Sequence, residues 1–408
     1  MTQNSEISAD GAPIRIDGFN FGAISAEVKK VGYVRLDFGL VVAERPAVAA
    51  GVTTRNVVHA APVTITRKVI SGGLCQAVLV NSGNANAYTG PQGMEDAERL
   101  VETLSGVISI NSGLIIPMST GVIGARLPVE RMKAGIPALV ESLGPDGFNN
   151  VAQAILTTDT VPKTFQIKAE LSTGPFTVAG MCKGAGMIAP NMATMLALLM
   201  TDIRVDHGFL SETFKECCRL SFNRITIDGD TSTNDTAVCL SGGALNSREL
   251  SKSSRDREIF VDTLKQACLS LAKQIVMDGE GATKFVEVKV ISAVDDKSAG
   301  IVARKIAESP LVKTAFHGED PNWGRIICAA GNSGILFDPA SVDLFIGDVA
   351  VVRDGKLVED DWEKKAHQVM QNRSFAVTLD LKMGNGHSTI MTSDFSEEYV
   401  TINADYRS

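Results

Sequence analysis

Apolar positions along the chain recur with two periods. Phe165, Ile167, Ala169 and Leu171 alternate with more polar neighbours, as do Phe375, Val377, Leu379 and Leu381, and again Val286, Val288 and Val290. That period of two predicts strands over 164–171, 375–382 and the start of 286 onward. Shorter apolar runs at 76–80 and 113–117 predict fully buried strands that end in loops of Gly, Ser and Asn. The helical period is clearest over 255–276, where Phe260, Leu264, Cys268, Leu271 and Ile275 form one stripe. Further helices are expected over 95–104, 129–143, 210–220, 301–308 and 362–370. Strands and helices do not alternate one for one. Strands also arrive in neighbouring pairs, 164–171 with 175–182 and 375–382 with 387–393, which reads as antiparallel hairpins. The pattern therefore predicts an α/β fold of the α+β layered-sandwich kind rather than a doubly wound parallel sheet. No internal repeat is visible, and the polar stretch 246–257 reads as an exposed loop.

Composition narrows the function classes. The 408 residues are 44% hydrophobic and 21% charged, as in an ordinary folded protein, and leave room for two or three domains. A net charge of −8 gives no reason to expect a nucleic-acid or anionic-membrane ligand. The seven cysteines contain no C-x-x-C pair, so buried thiols in a reducing cytoplasm are expected rather than a disulfide framework. The polar N-terminus does not read as a secretory signal, and the longest apolar stretch, 192–200, is too short to span a bilayer. A soluble cytoplasmic protein is the expectation.

Several chemistries can be set aside on spacing. The five histidines, at 59, 207, 317, 367 and 387, lie far apart, so no metal site is expected. No G-x-S-x-G marks a hydrolase elbow. The run Gly279-Glu280-Gly281-Ala282-Thr283-Lys284 lacks Walker spacing and reads as a Gly-rich turn before the strand at 285. What stands out is four loops rich in Gly, Asn, Ser and Thr, at 80–86, 117–124, 183–196 and 228–236. Such loops bring backbone N–H groups and small hydroxyls close to a ligand. Singly each reads as a turn; together they predict a polar pocket. Taken individually, Lys183 and Glu280 read as members of surface ion pairs.

The 183–196 segment reads K-G-A-G-M-I-A-P-N-M-A-T-M-L, 228–236 reads D-G-D-T-S-T-N-D-T, and 278–284 reads D-G-E-G-A-T-K. With G-E-D-P-N-W-G-R at 318–325 and I-N-A-D-Y at 402–406, in this order, the chain resembles the ornithine acetyltransferase (glutamate N-acetyltransferase) family of arginine biosynthesis, from about residue 18 onward. Two departures are visible. The chain ends in Ser408 where the family usually has Thr, and residues 53–56 are Thr, Thr, Arg, Asn where the family commonly has F-T-T-N.

The resemblance implies a self-cleaving acyltransferase of the N-terminal-nucleophile type. The cut falls between Ala193 and Thr194, leaving an α chain of residues 1–193 and a β chain of residues 194–408. Of the β chain, 194–285 would complete the catalytic domain and 286–408 would form a smaller C-terminal α/β domain with its tail returning to the site. Cleavage makes chemical sense: a Thr hydroxyl is a weak nucleophile, and the freed α-amine of Thr194, with an ordinary pKa of about 7.7–8.0, supplies the base on the same residue. The resemblance assigns the oxyanion donors to the Thr120 hydroxyl and the Gly121 backbone N–H. Substrate contacts map to Thr157, Lys183, Thr194, Glu280, Asn403 and Ser408. The implied reaction is ping-pong. Thr194 takes the acetyl group from N2-acetylornithine, ornithine leaves, and glutamate accepts the acetyl group as N-acetylglutamate. No cofactor is expected, with acetyl-CoA left open as a second donor, and the implied assembly is a heterotetramer of two α and two β chains. The competing reading is an N-terminal-nucleophile aminopeptidase or amidase.

Overall fold

The computed structural model describes residues 6–7, 14–189, 195–243 and 249–404. The chain divides into two compact units. The first takes residues 1–184, 190–223 and 231–275, and the second takes 185–189, 224–230 and 276–408.

The first unit is built on a nine-stranded mixed sheet. Its order runs Glu6–Ile7, Lys163–Leu171, Gly174–Lys183, Leu196–Thr201, Thr236–Ser241, Phe38–Thr53, Leu74–Asn81 and Ile115–Ser119, with Phe19–Ile24 also paired to the long strand Phe38–Thr53. The expected hairpin of 164–171 with 175–182 is present as Lys163–Leu171 against Gly174–Lys183, antiparallel throughout. Strand Leu196–Thr201 runs parallel to Thr236–Ser241, and Leu74–Asn81 parallel to Ile115–Ser119. The longest strand breaks register against Leu74–Asn81 between Val42 and Ala47. Glu44, Arg45 and Pro46 are exposed there, and Pro46 has no N–H to give a ladder.

Both faces of this sheet are covered around strands such as Ile115–Ser119 and Leu196–Thr201, whose residues are all buried and which read as continuous apolar runs. Val78 and Val80 join Phe21, Phe148, Met181 and Leu198 in one core, with Phe21 and Phe148 meeting edge to face at 5.2 Å. Their neighbours Ala77 and Leu79 point the other way, into a second core with Leu100 and Leu104 of helix Gly90–Ile108 and Met132, Ile136 and Leu139 of helix Val129–Glu141. Helix Arg257–Met277 buries the stripe expected of it, Phe260, Leu264, Cys268, Leu271 and Ile275.

The second unit carries a seven-stranded sheet in the order Lys356–Leu357, Val349–Arg353, Asp343–Ile346, Ser374–Asp380, Phe285–Ala293, Gly386–Ser393 and Ile225–Thr226. Here the sequence reading needs correction. Ser374–Asp380 and Gly386–Ser393 do not form a hairpin; Phe285–Ala293 lies between them, parallel to the first and antiparallel to the second. Val286, Val288 and Val290 are all fully buried, so this strand needs a partner on each edge and a covered face, and the central place supplies them. Helices Asp296–Ala307, Pro310–His317, Trp323–Gly331 and Trp362–Met370 complete its core. Of the seven cysteines six are buried and Cys328 is exposed, all as free thiols. No helix among the described residues is long and apolar enough to cross a membrane.

Within this unit Lys313 is fully buried, its ammonium donating to Thr392 Oγ1 at 2.9 Å and to the Ser393 carbonyl. Burial lowers its pKa to about 7, against the pull of Asp394, Asp228 and Glu308. An unfolded lysine titrates near 10.4. Between those values the unfolded chain binds a proton that the folded chain does not, so stability rises with pH over that window. Wild-type stability should therefore gain on that of Lys313→Met by on the order of 3–5 kcal/mol between pH 7 and pH 10 in urea titrations. A constant difference across that range would contradict the assignment.

Candidate active site

Three of the four polar loops are bonded into one network within the first unit. The turn that follows strand Ile115–Ser119 is held against the turn that follows Leu74–Asn81. The Thr120 N–H donates to the Asn81 carbonyl at 3.0 Å, the Ala85 N–H to the Val122 carbonyl at 3.0 Å, and the Ser119 hydroxyl to Asn81 Oδ1 at 2.7 Å. The side chain of Asn234 crosses from the third loop. Its amide donates to the Ala85 carbonyl at 2.6 Å and to the Ser119 carbonyl at 2.8 Å. Two residues on, the Thr236 N–H donates to the Met195 carbonyl at 2.8 Å. Residues 234–236 thus tie the Thr120–Gly121 turn to the start of strand Leu196–Thr201.

Gly121 is required twice over. Its φ of 132° lies outside the range of residues with a Cβ, and a Cβ would stand 2.3 Å from the Gly83 carbonyl carbon and 2.5 Å from Asn84 N. Both neighbours are backbone and cannot yield like a flexible side chain. The departure at residues 53–56 meets the same third loop. Thr54 donates through Oγ1 to the Ser232 carbonyl at 2.7 Å, and the Asn56 amide to the Thr231 carbonyl at 3.0 Å.

A second group in this unit surrounds Asp159, whose side chain is fully buried. Its Oδ1 accepts from Lys163 Nζ at 2.7 Å and from the Gly184 N–H at 2.6 Å; its Oδ2 accepts from the Thr157 N–H at 3.1 Å and lies 3.7 Å from Lys183 Nζ. Burial favours the neutral acid, but the two lysines and the Gly184 N–H outweigh it and hold the carboxyl well below its ordinary range. Arg35 joins this group to the polar turns, donating to the Ser82 hydroxyl at 3.1 Å and to the Leu156 carbonyl at 2.9 Å. Asp235 is buried too, and desolvation raises its pKa well above the ordinary value, with the Ser232 and Thr54 hydroxyls, Lys183 and the Met195 amide pulling the other way.

In the second unit Glu280 and Asn403 are brought together. The Asn403 amide donates to Glu280 Oε2 at 2.7 Å, and the Glu280 N–H donates to the Ala185 carbonyl at 2.8 Å. Gly186 leaves the room that the carboxylate fills, for a Cβ there would lie 2.3 Å from Glu280 Oε2. The run at 279–284 is the turn before strand Phe285–Ala293 that its sequence suggests. Asp228 anchors the preceding segment: it accepts from the Met187 and Ile188 N–H groups and from the Tyr399 hydroxyl. Burial raises Asp228, and the same burial with Asp228 alongside raises the Tyr399 phenol.

Of the residues singled out from sequence, Thr120, Gly121, Thr157 and Lys183 lie in the first unit's network, and Glu280 and Asn403 are bonded in the second. Ala193, Thr194 and Ser408 lie outside the described residues. Lys183 and Glu280 are not the surface ion pairs that each suggests alone. Both are buried, Lys183 beside Asp159 and Glu280 under Asn403. Asp159, Lys163, Arg35, Asn234 and Asp228 were missed. The one available signal for Asp159 was a carboxylate two residues after Thr157 with two lysines further on. A cavity of about 480 Å³ in the second unit, lined by Leu311, Arg325 and Cys328 among others, holds none of the sequence-predicted site residues. Among the described residues no cluster of His, Cys, Asp or Glu could hold a metal ion.

The ArgJ family model matches residues 20–408. The chain is 47% identical over 394 residues to the arginine biosynthesis bifunctional protein ArgJ of Geobacter sulfurreducens, covering 97% of this chain and 100% of that protein. It is 46% identical over 394 residues to the protein of the same name from Syntrophotalea carbinolica, with the same coverage. Among solved structures, the arginine biosynthesis bifunctional protein argJ of Bacillus halodurans is similar at a TM-score of 0.50 and 40% identity, covering 52% of this chain and 99% of that chain.

Gly121→Ala should lower stability by about 2–5 kcal/mol, the sum of backbone strain and a clash with immovable neighbours. Gly124, with φ of 82° but nothing within 4 Å of a built Cβ, is the matched control. Gly124→Ala should cost only about 1–2 kcal/mol of strain. Equal losses in guanidinium unfolding would remove the packing argument for Gly121.

Proposed function

The chain belongs to the ArgJ family, and we infer from that premise that it is an acyltransferase of arginine biosynthesis, moving the acetyl group of N2-acetylornithine to glutamate. The finer reading concerns how its own residues do so. Thr194, exposed as a new N-terminus by cleavage after Ala193, is the proposed nucleophile, and its α-amine takes and returns the proton. The Thr120 hydroxyl and Gly121 N–H are the proposed oxyanion donors.

One observation carries this reading: residues 234–236 bond both to the Thr120–Gly121 turn and to Met195, the residue that follows Thr194. A nucleophile and its oxyanion donors need such a fixed relation, since a donor is worth about 3–4 kcal/mol only when aimed in advance. The length of the Bacillus halodurans chain, about half of this one, supports a protein that is cut in two.

Charge suggests the division of labour toward substrate. In the first unit Lys183 is a buried cation with only a 3.7 Å approach to Asp159, and it suits a carboxylate. In the second unit the Glu280 carboxylate, positioned by Asn403, suits an ammonium group. Thr157 and Ser408 supply hydrogen bonds. Two α and two β chains in the cytoplasm are the proposed assembly, and acetyl-CoA is the proposed donor for a second activity, in keeping with the word bifunctional in the relatives' names.

On a denaturing gel the purified protein should run as two bands of similar size, and Thr194→Ala as one band of full length without acetyl transfer. Rapid quenching with N-acetylornithine should add one acetyl group to the peptide that begins at Thr194. Parallel assays with N-acetylornithine or acetyl-CoA as donor to glutamate test the two activities. An uncut chain with full transferase activity would overturn the mechanism, and release of free acetate without transfer would favour the amidase reading.

A further inference from the structure

Two lysines and one carboxylate share the buried space around Asp159. The two lysines are not equivalent. Lys163, wholly buried opposite Cys182, makes a 2.7 Å charged hydrogen bond to Asp159 Oδ1. Lys183 stands 3.7 Å from Oδ2, beyond hydrogen-bond length, and its ammonium donates to no acceptor among the described residues. Both carboxylate oxygens are already supplied with donors, Oδ1 by Gly184 as well and Oδ2 by Thr157. These three side chains by themselves therefore carry one cation in excess. Among the described residues Asp235, the other carboxylate near Lys183, makes no ion pair with it, and burial pushes its pKa upward, as it does that of the Cys182 thiol.

We propose that Lys163 is a specificity-determining residue: by neutralising Asp159 it leaves the Lys183 ammonium available for a carboxylate of the substrate. Lys163 acts through Asp159 and does not touch substrate. Without it, Asp159 is a buried carboxylate whose remaining cationic partner among the described residues is Lys183, and the shortest way to satisfy it is for Lys183 to close the gap and turn its donors inward. The inference rests on the reading that Lys183 meets the substrate carboxylate.

The test is steady-state kinetics on variants first confirmed by gel to be cut. Lys163→Met should raise KM for N-acetylornithine and for glutamate tenfold or more while kcat falls by less than about threefold. Lys163→Arg, which keeps the charge, should restore much of the loss. The telling variant is the double Asp159→Asn with Lys163→Met. Removing the carboxylate as well as its counterion leaves Lys183 without a competitor, so KM should return most of the way to wild type. If Lys163→Met does not fold, Lys163→Gln takes its place in both forms. An unchanged KM in the single variant, or a double variant no better than the single, overturns the proposal. Lys183→Met separates the two claims: if it leaves KM unaltered, the assignment of Lys183 to the substrate fails whatever Lys163 does.

Discussion

The side-chain amide of Asn234 has two hydrogens, and both are committed to backbone carbonyls, those of Ala85 and Ser119. The rest of the first unit's polar network depends on this bridge. Where strands Leu74–Asn81 and Ile115–Ser119 end and the turns begin, the ladder stops, so buried carbonyls there need a partner from elsewhere in the chain. A buried polar group left without a partner costs about 1–3 kcal/mol, and Asn234 serves two at once. Around it Asn81, Asn84 and Ser119 satisfy one another and the adjoining backbone. The loops are rich in Asn and Ser because each side chain closes a hydrogen bond that strand pairing leaves open.

The two described flanks of 190–194 are each anchored inside their own unit. On the N-terminal side, Met187 and Ile188 are held within the second unit by Asp228, and the Ile188 carbonyl accepts from the Ile227 N–H at 2.7 Å. On the C-terminal side, Met195 is held within the first unit by Thr236, and strand Leu196–Thr201 continues between two partners. Each flank owes its place to non-covalent bonds inside its own unit rather than to the peptide that joins them. The proposed cleavage before Thr194 would require this, because a new chain end must stay in place once its covalent tether is gone.

Much of this architecture is legible in the residues. Strands with clean alternation, such as Lys163–Leu171, and helices with a broad stripe, such as Arg257–Met277, follow from periodicity alone. Trp362–Met370 has the bounds its pattern suggests. Phe38–Thr53 is not legible in that way. Its run of Val and Ala is interrupted by Glu44, Arg45 and Pro46, which break the period yet sit in a bulge that lets one strand pair along its whole length. Strand partners were legible only where a tight turn joined them. Nothing local records that Phe285–Ala293 enters between two later strands, since that order is set by burial in the finished sheet. Among the site residues, Gly121 was named from the family resemblance, since a glycine after a strand reads by itself as an ordinary turn. Asp159 and Lys163 could not be named, because a carboxylate four residues before a lysine looks like an ordinary surface pair until burial is known.

Burial also changes what that charge group can do. A surface pair of Lys and Asp is worth little and orients nothing, because water screens it and the side chains wander. With Asp159 and Lys163 out of solvent, each hydrogen bond excludes alternatives, and the Asp159 carboxylate fixes the Thr157 and Gly184 backbone together. Lys183 differs by lying at the edge of this group, close enough to feel the carboxylate and too far to bond it. A cation so placed loses little by turning to an incoming anion, since it donates to no acceptor among the described residues. Its position is already set by strand Gly174–Lys183, so the entropy of ordering it is met during folding rather than at binding. In the proposed reading, three side chains of ordinary kinds make a preorganised receptor for a substrate carboxylate, because their charges do not balance.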